Sequence, residues 1–149
     1  MDEVRILASG LGFPEGPVAM PDGSVILTDI RNGRCPRVAP DGTVSVFSAT
    51  GGGPNGLAVG PDGALYLCNN GGSRYVEGKS MGQGPHPDYK HGSIQRLDRK
   101  TGEAKTLYIE CDGHRLSAPK IGSPTISLRL EGLASASGVR SPIAIASPR

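Results

Sequence analysis

The chain has 149 residues, which favours a single domain. Its net charge of +2 argues against the clustered basic surface of a nucleic-acid-binding protein. No apolar run approaches the roughly 20 residues of a membrane-spanning helix. The opening sequence MDEVRILASG lacks the apolar core of a signal peptide. We therefore expect a cytoplasmic protein with no membrane segment and no nucleic-acid partner.

The chain opens with a predicted short strand at residues 4–8, of the kind that completes the last blade of a propeller. The segment FPEGPVAMPDGSVILTD, residues 13–29, follows it. Its pattern returns forty residues later as PNGLAVGPDGALYLCN, residues 54–69, so that Glu15 is equivalent to Asn55 and Asp29 to Asn69. A repeat of about 40 residues built from short strands and Pro-Asp-Gly turns is typical of a propeller blade.

Each repeat contains four short apolar segments separated by turn residues, which predicts a four-stranded antiparallel blade. The blades occupy about residues 13–50 and 51–110. The predicted strands are Val18–Met20, Val25–Thr28, Arg37–Ala39 and Thr43–Phe47 in the first blade, and Leu57–Val59, Leu65–Leu67, Ser93–Leu97 and Ala104–Ile109 in the second. The fold class is therefore all-β, a partial β-propeller of about two blades.

A long segment, residues 71–91, interrupts the second blade. It is rich in Gly, Ser, Lys and Pro and includes MGQGPHPDYKHG. Loops of this length inside a compact domain are usually functional or mobile. Residues 111–119 should lead into a third blade, but residues 120–149 contain no Asp and no Pro-Asp-Gly turn. We expect a partial propeller over residues 1–119 and an irregular, poorly ordered tail over 120–149.

The ordered set GLGFPEGP, PDGSVILTD, GGPNGLAVGPDGALYLCNNGG and CDGHRLSAP resembles the SMP-30/gluconolactonase/LRE-like family, which includes regucalcin, over about residues 11–119. The resemblance implies a six-bladed propeller with one divalent cation in its central channel and hydrolysis of sugar lactones or related small esters. It also implies further cation ligands and an acid/base from later blades. Six blades at about 40 residues each need far more than 149 residues.

The tail carries a hint of a changed reading frame. One choice of codons for residues 123–128, SPTISL, reads Pro-Asn-Asp-Leu-Val when shifted by one base, and this resembles the family's opening of the third blade. We therefore expect residues 120–149 to be out of frame and the propeller to be truncated. A genuine short paralogue with an unusual tail is the alternative.

Glu15 is the strongest candidate for a functional-site residue. It lies at the start of a predicted inner strand, and a carboxylate there is a hard oxygen ligand for Ca²⁺, Mg²⁺ or Zn²⁺. The resemblance implies that it is the cation ligand of the PEGP motif, with Ca²⁺ the favoured ion. The residues alone also fit a solvated carboxylate in a turn.

Asn55 and Asn69 are the predicted channel-facing or substrate-binding residues. Asn55 occupies the position of Glu15 in the second blade, and Asn69 ends a strand before Asn70-Gly71-Gly72. Both also fit turn residues that bind their own backbone. The three cysteines form no CxxC pair and are expected to be reduced thiols, with a disulfide or zinc site as the alternative.

Three interpretations follow for function. The chain is a truncated metal-dependent lactone hydrolase, inactive alone because most cation ligands and the acid/base are absent. Alternatively, it is a non-catalytic binding or assembly module that self-associates through an open blade edge. The third interpretation is a pseudogene-like product with no function of its own.

Overall fold

The computed structural model describes residues 6–119, and these form two four-stranded antiparallel sheets and a short hairpin. The first sheet consists of β1 (Pro14–Ala19), β2 (Val25–Asp29), β3 (Cys35–Val38) and β4 (Val44–Ser48). The second consists of β5 (Pro54–Val59), β6 (Leu65–Asn69), β7 (Ser93–Leu97) and β8 (Ala104–Tyr108). In both sheets the spatial order follows the chain order, so each is a simple meander. The predicted all-β blade architecture is confirmed.

The Pro-Asp-Gly turns explain why β1 and β2, and β5 and β6, are joined so tightly. In the first, the Gly23 N–H donates to the Met20 carbonyl at 2.9 Å, and Gly23 has a φ of +81°, which only glycine adopts without cost. The carboxylates of Asp22 and Asp62 each accept a hydrogen bond from the backbone N–H two residues on, at 3.1 Å. These aspartates are turn residues in the structure.

The hydrophobic core lies between the two sheets. Val18, Ile26 and Cys35 from the first sheet pack against four leucines of the second, which are Leu57, Leu65, Leu67 and Leu97. The last three leucines and Ile26 are fully buried. Because side chains alternate along a strand, only one face of each sheet contributes to this cluster. The sheets therefore stack face to face, as adjacent blades do.

The structure also differs from the sequence predictions in places. Both inner strands, β1 and β5, begin several residues earlier than predicted. Residues 6–8 of the strand predicted at residues 4–8 lie in no strand, and its residues 4 and 5 lie outside the described residues. A hairpin of β9 (Glu110–Cys111) and β10 (His114–Arg115) was not predicted. The expected irregular tail, residues 120–149, lies outside the described residues.

Within residues 6–119, no helix is long and apolar enough to cross a membrane. The helical element found there is a 3₁₀ turn, Ile30–Asn32, that follows β2.

Candidate functional site

The two inner strands lie side by side and bring Glu15 and Asn55 to one edge of the blade pair. A Cβ atom added to Gly16 would lie 2.8 Å from the Leu57 backbone nitrogen, which shows how closely the strands approach. The Thr28 hydroxyl, fully buried, donates to the Glu15 carbonyl at 3.0 Å and to the Asn55 carbonyl at 3.3 Å. One side chain thus links the backbones of both candidate residues, which therefore lie next to each other on the two inner strands.

Both inner strands carry a β-bulge at this level. The pairing of β1 with β2 shifts between Glu15 and Val18, and that of β5 with β6 shifts between Pro54 and Gly56. A bulge adds one unpaired residue and redirects the neighbouring side chains, which is why bulges recur beside active sites. Sequence analysis missed the bulges, although the glycine after each candidate residue was a signal for them.

Glu15 is exposed, and its carboxylate makes no hydrogen bond or ion pair with any residue between 6 and 119. Asn55 is half-buried, and its side-chain amide likewise has no partner in that range. A Ca²⁺ or Mg²⁺ site needs oxygen atoms that are not already engaged. The side-chain oxygens of Glu15 and Asn55 have no partner among residues 6–119 and are available to a ligand.

Among residues 6–119, no group of three or more His, Cys, Asp or Glu side chains is placed to hold a metal ion. Ca²⁺ takes six to eight oxygen ligands. The carbonyl oxygens of Glu15 and Asn55 already accept the Thr28 hydroxyl. The described residues therefore do not form a complete site for a divalent cation.

Asn69 lies at the end of β6, where it is 4% exposed. Its amide oxygen accepts hydrogen bonds from the N–H groups of Gly53 and Gly71, both at 2.9 Å, and its amide nitrogen donates to the Gly51 carbonyl at 2.8 Å. These contacts fasten the loop that enters β5. A channel-facing role for Asn69 stays a prediction, and it would require the side chain to leave some of these partners.

Asp29, the equivalent residue of the first blade, fastens the loop that enters β1. The carboxylate is completely buried and accepts from Gly12 N, Phe13 N, Asn32 Nδ2 and Arg34 Nε at 2.8 to 3.2 Å. Burial would raise the pKa of this carboxyl, but the hydrogen bonds from the two side chains and two N–H groups outweigh it and hold the pKa below its ordinary value of 3.8. Asp29 is ionised and structural.

Two of the three cysteines lie in surroundings that disfavour the reactive thiolate. All three are free thiols, and Cys35 and Cys68 are buried. Burial, with the Asp29 charge as a smaller contribution, raises the pKa of Cys35 to about 12, and burial raises the pKa of Cys68 to about 11. Since the thiolate is the reactive and metal-binding form, these two residues act as small core side chains.

The long segment of the second blade, residues 71–92, folds back on itself. Ser73 and Pro85 form an isolated antiparallel bridge, and the Gln83 N–H donates to the Arg74 carbonyl at 2.7 Å. The Arg31 guanidinium lies 5.3 Å from the centre of the Tyr75 ring, a cation–π contact that ties the segment to the first blade. The segment is an ordered part of the same end of the molecule as Glu15 and Asn55.

Solved structures share this arrangement of blades. One of them is a gluconolactonase of Xanthomonas campestris, XC5397. The match covers 76% of this chain and 32% of the gluconolactonase chain, with a TM-score of 0.56 and 24% sequence identity. A second structure is that of a protein assigned as a gluconolactonase. The match covers 78% of this chain and 34% of the second protein's chain, with a TM-score of 0.56 and 26% sequence identity. The chain is structurally similar to gluconolactonases. The resemblance inferred from the motifs is confirmed at this level.

The likeness has a limited extent. The chain spans about a third of the length of these solved structures. At 24% identity, the match to the Xanthomonas campestris enzyme shows the fold alone. Neither a protein-family model nor a curated protein matches the chain.

Proposed function

We propose that this chain forms two blades of a gluconolactonase-like lactone hydrolase and supplies one ligand, Glu15, to its divalent cation. The observation that carries the proposal is the unpaired, exposed carboxylate on a bulged inner strand, directly beside the equivalent Asn55. The similarity to gluconolactonase structures supports the reaction class, a hydrolysis of a sugar lactone or related small ester.

When bound, the cation would supply Lewis acidity to the lactone carbonyl and to an attacking water. The residues of this chain have narrower roles. The Glu15 carboxylate holds the ion, and the Asn55 amide binds a substrate oxygen or a water in front of it. Hard oxygen donors favour Ca²⁺ or Mg²⁺ over softer metals, with Ca²⁺ preferred and Zn²⁺ less suited. Because most ligands must come from elsewhere, the 149-residue chain is proposed to bind the ion weakly and to lack useful lactonase activity alone.

Glu15→Gln is expected to weaken Ca²⁺ binding by more than about tenfold, because residues that only orient metal ligands already contribute 10- to 100-fold to affinity. Calcium titration of the isotope-labelled chain, followed through the backbone amides of Glu15, Gly16, Val18 and residues 55–57, measures this effect. The matched control is Glu103→Gln, which removes an exposed carboxylate from the turn before β8 and should leave the titration unchanged.

Two results would contradict the proposal. Equal calcium affinity in the parent chain and Glu15→Gln would remove Glu15 from the cation site. Metal-dependent hydrolysis of D-glucono-1,5-lactone by the parent chain, abolished in Glu15→Ala, would show that the two blades are catalytically sufficient.

A second candidate function, self-association, is favoured by the edge strand β4. No strand described between residues 6 and 119 pairs with its outer edge. Val44 and Val46, two residues apart and therefore on one face of the strand, are 38% and 56% exposed. An unpaired edge carrying exposed apolar side chains is a template for pairing with another chain.

Val46→Lys is expected to shift the chain toward the monomer in sedimentation-velocity experiments over a range of concentrations. A charge on an edge strand opposes strand pairing. Val76→Lys, at an exposed position outside any strand in the segment between β6 and β7, is the control and should leave the distribution unchanged. A parent chain that is monomeric at every concentration would rule out this candidate function.

A further inference from the structure

A cleft of about 320 Å³ lies between the end of β6, the folded segment 71–92 and the strap formed by residues 116–119. Its lining includes four residues with neutral polar side chains, which are Asn70, Ser73, Tyr89 and Ser117. Among the described residues that line it, none carries a charge. The volume is at the lower end of the roughly 300 to 1,000 Å³ typical of small-molecule sites.

The walls of the cleft are held by the backbone. The Gly92 N–H donates to the Leu116 carbonyl at 2.7 Å, and the Leu116 N–H donates to the Ile109 carbonyl at 2.9 Å, which fixes the strap across the blade. The Tyr89 ring packs over Gly71, where an added Cβ would lie 2.5 Å from a ring carbon. These contacts place the polar side chains on a supported surface.

Ala118, in the wall of the cleft, has a φ of +47°. A non-glycine residue in the left-handed region is strained and persists where the surroundings impose it, frequently at ligand sites. A Cβ on Gly92 would lie 3.2 Å from the Ala118 nitrogen, so the strap is pressed against the blade. The strained residue Ala118 therefore lies in the wall of the cleft itself.

The hydrogen-bonding groups of the cleft are largely free. The hydroxyls of Ser73, Tyr89 and Ser117 have no hydrogen-bond partner among residues 6–119. The side-chain Oδ1 of Asn70 accepts the Gly72 N–H at 2.9 Å, which leaves the side-chain amide protons available. Three hydroxyls and an amide are neutral donors and acceptors. They match the hydroxyl groups of an uncharged, polyhydroxylated ring.

The cleft opens at the end of the blade pair that carries Glu15 and Asn55. The Asn70 N–H donates to the Gly53 carbonyl at 2.9 Å. Gly53 and Asn55 are two residues apart, which separates them by at most about 7 Å. A small ring in the cleft therefore lies along the same edge as the candidate cation ligand.

We propose that this cleft is a subsite for the neutral, hydroxyl-bearing part of a sugar-type ligand, held by Asn70, Ser73, Tyr89 and Ser117. The choice of a sugar lactone as the complete ligand rests on the proposed function. The binding of the polyol portion does not require the cation.

The test is a titration of the complete, isotope-labelled 149-residue chain with 1,5-anhydro-D-glucitol, a cyclic polyol without a lactone carbonyl, in the presence of EDTA. We expect saturable shifts of the amides of residues 70–73, 89 and 117–118. Tyr89→Phe and Ser73→Ala should each weaken binding by about 2- to 10-fold, the effect of one neutral hydrogen bond. Cyclohexanol, which offers a ring with one hydroxyl, should not saturate.

Tyr108→Phe is the control, since Tyr108 lies on β8 and is 45% exposed. It should leave the polyol titration unchanged. Because EDTA removes free divalent cations, saturable polyol binding tests this subsite separately from the cation proposal. Unsaturable shifts, shifts confined to residues 14–18 and 54–57, or equal affinity in the parent chain, Tyr89→Phe and Ser73→Ala would overturn the subsite. The unchanged amide spectrum of distant residues confirms that each variant is folded.

Discussion

Replacement of Asp29 by alanine is expected to destabilise the chain by about 3–5 kcal/mol, the range seen when one partner of a buried charged network is removed. The carboxylate accepts four hydrogen bonds, and two of the donors are the backbone N–H groups of Gly12 and Phe13. Unpaired buried donors cost about 1–3 kcal/mol each. Since small domains are stable by only about 5–15 kcal/mol, the variant should be largely unfolded under mild denaturant.

Urea unfolding followed by circular dichroism measures this loss. Asp41→Ala is the matched control, because Asp41 accepts one backbone hydrogen bond, from Thr43, in an exposed turn of the same sheet. Its effect should be much smaller. Equal losses in the two variants would mean that Asp29 acts as an ordinary turn residue and does not anchor the entry to β1.

The same residue gives the chain part of its acid sensitivity. The hydrogen bonds keep the pKa of Asp29 in the folded state below 3.8 despite the opposing effect of burial. A group with a depressed folded pKa contributes stability above its unfolded pKa, and that stability is lost as the pH falls through the folded value. Asp29→Asn should therefore flatten the pH dependence of the free energy of unfolding in the range below about pH 4. Asp22, Asp41, Asp62 and Asp98 also have lowered pKa values, so some dependence remains.

The strands and turns of both blades followed from local patterns in the sequence. Ser93–Leu97 was predicted with its observed bounds, and the Pro-Asp-Gly turns lie where their residues require them. These features depend on neighbouring residues, through alternation and turn conformation. The Asp112-Gly113 turn of the extra hairpin, with φ values of +51° and +76°, carried the same kind of signal and was overlooked.

The structural roles of Asp29 and Asn69 could not be predicted from local sequence patterns. The repeat made the two residues equivalent, but whether they face the channel or the loop depends on contacts with Gly12 and Gly53, more than 15 residues away. The cleft beside Tyr89 is likewise formed by segments that are distant in the chain. Periodicity identifies elements, whereas burial and hydrogen-bond partners depend on how those elements pack.

The close approach of β1 and β5 leads to the second large effect, expected for Gly16→Ala. Gly16 has a φ of +51°, and an added Cβ would lie 2.8 Å from Leu57 N and 3.4 Å from Gly56 Cα. The left-handed conformation alone costs an alanine about 1–2 kcal/mol. The contact is with backbone atoms that cannot rotate away, and overpacking of this kind adds about 1–3 kcal/mol. We expect a total loss of about 2–5 kcal/mol in urea unfolding.

Gly51→Ala separates the two contributions, because Gly51 has a similar φ of +67° and nothing lies within 4 Å of its added Cβ. The free energy of unfolding of this variant should fall only by the cost of the left-handed backbone conformation. The difference between the two variants then measures the contact between the inner strands, which sets the spacing of Glu15 and Asn55. Equal losses would indicate that the strands lie farther apart than described, and Asn55 could then not bind a substrate oxygen or a water in front of an ion held by Glu15. A greater loss in Gly16→Ala, accompanied by weaker calcium binding, would tie the packing of β1 on β5 directly to the proposed site.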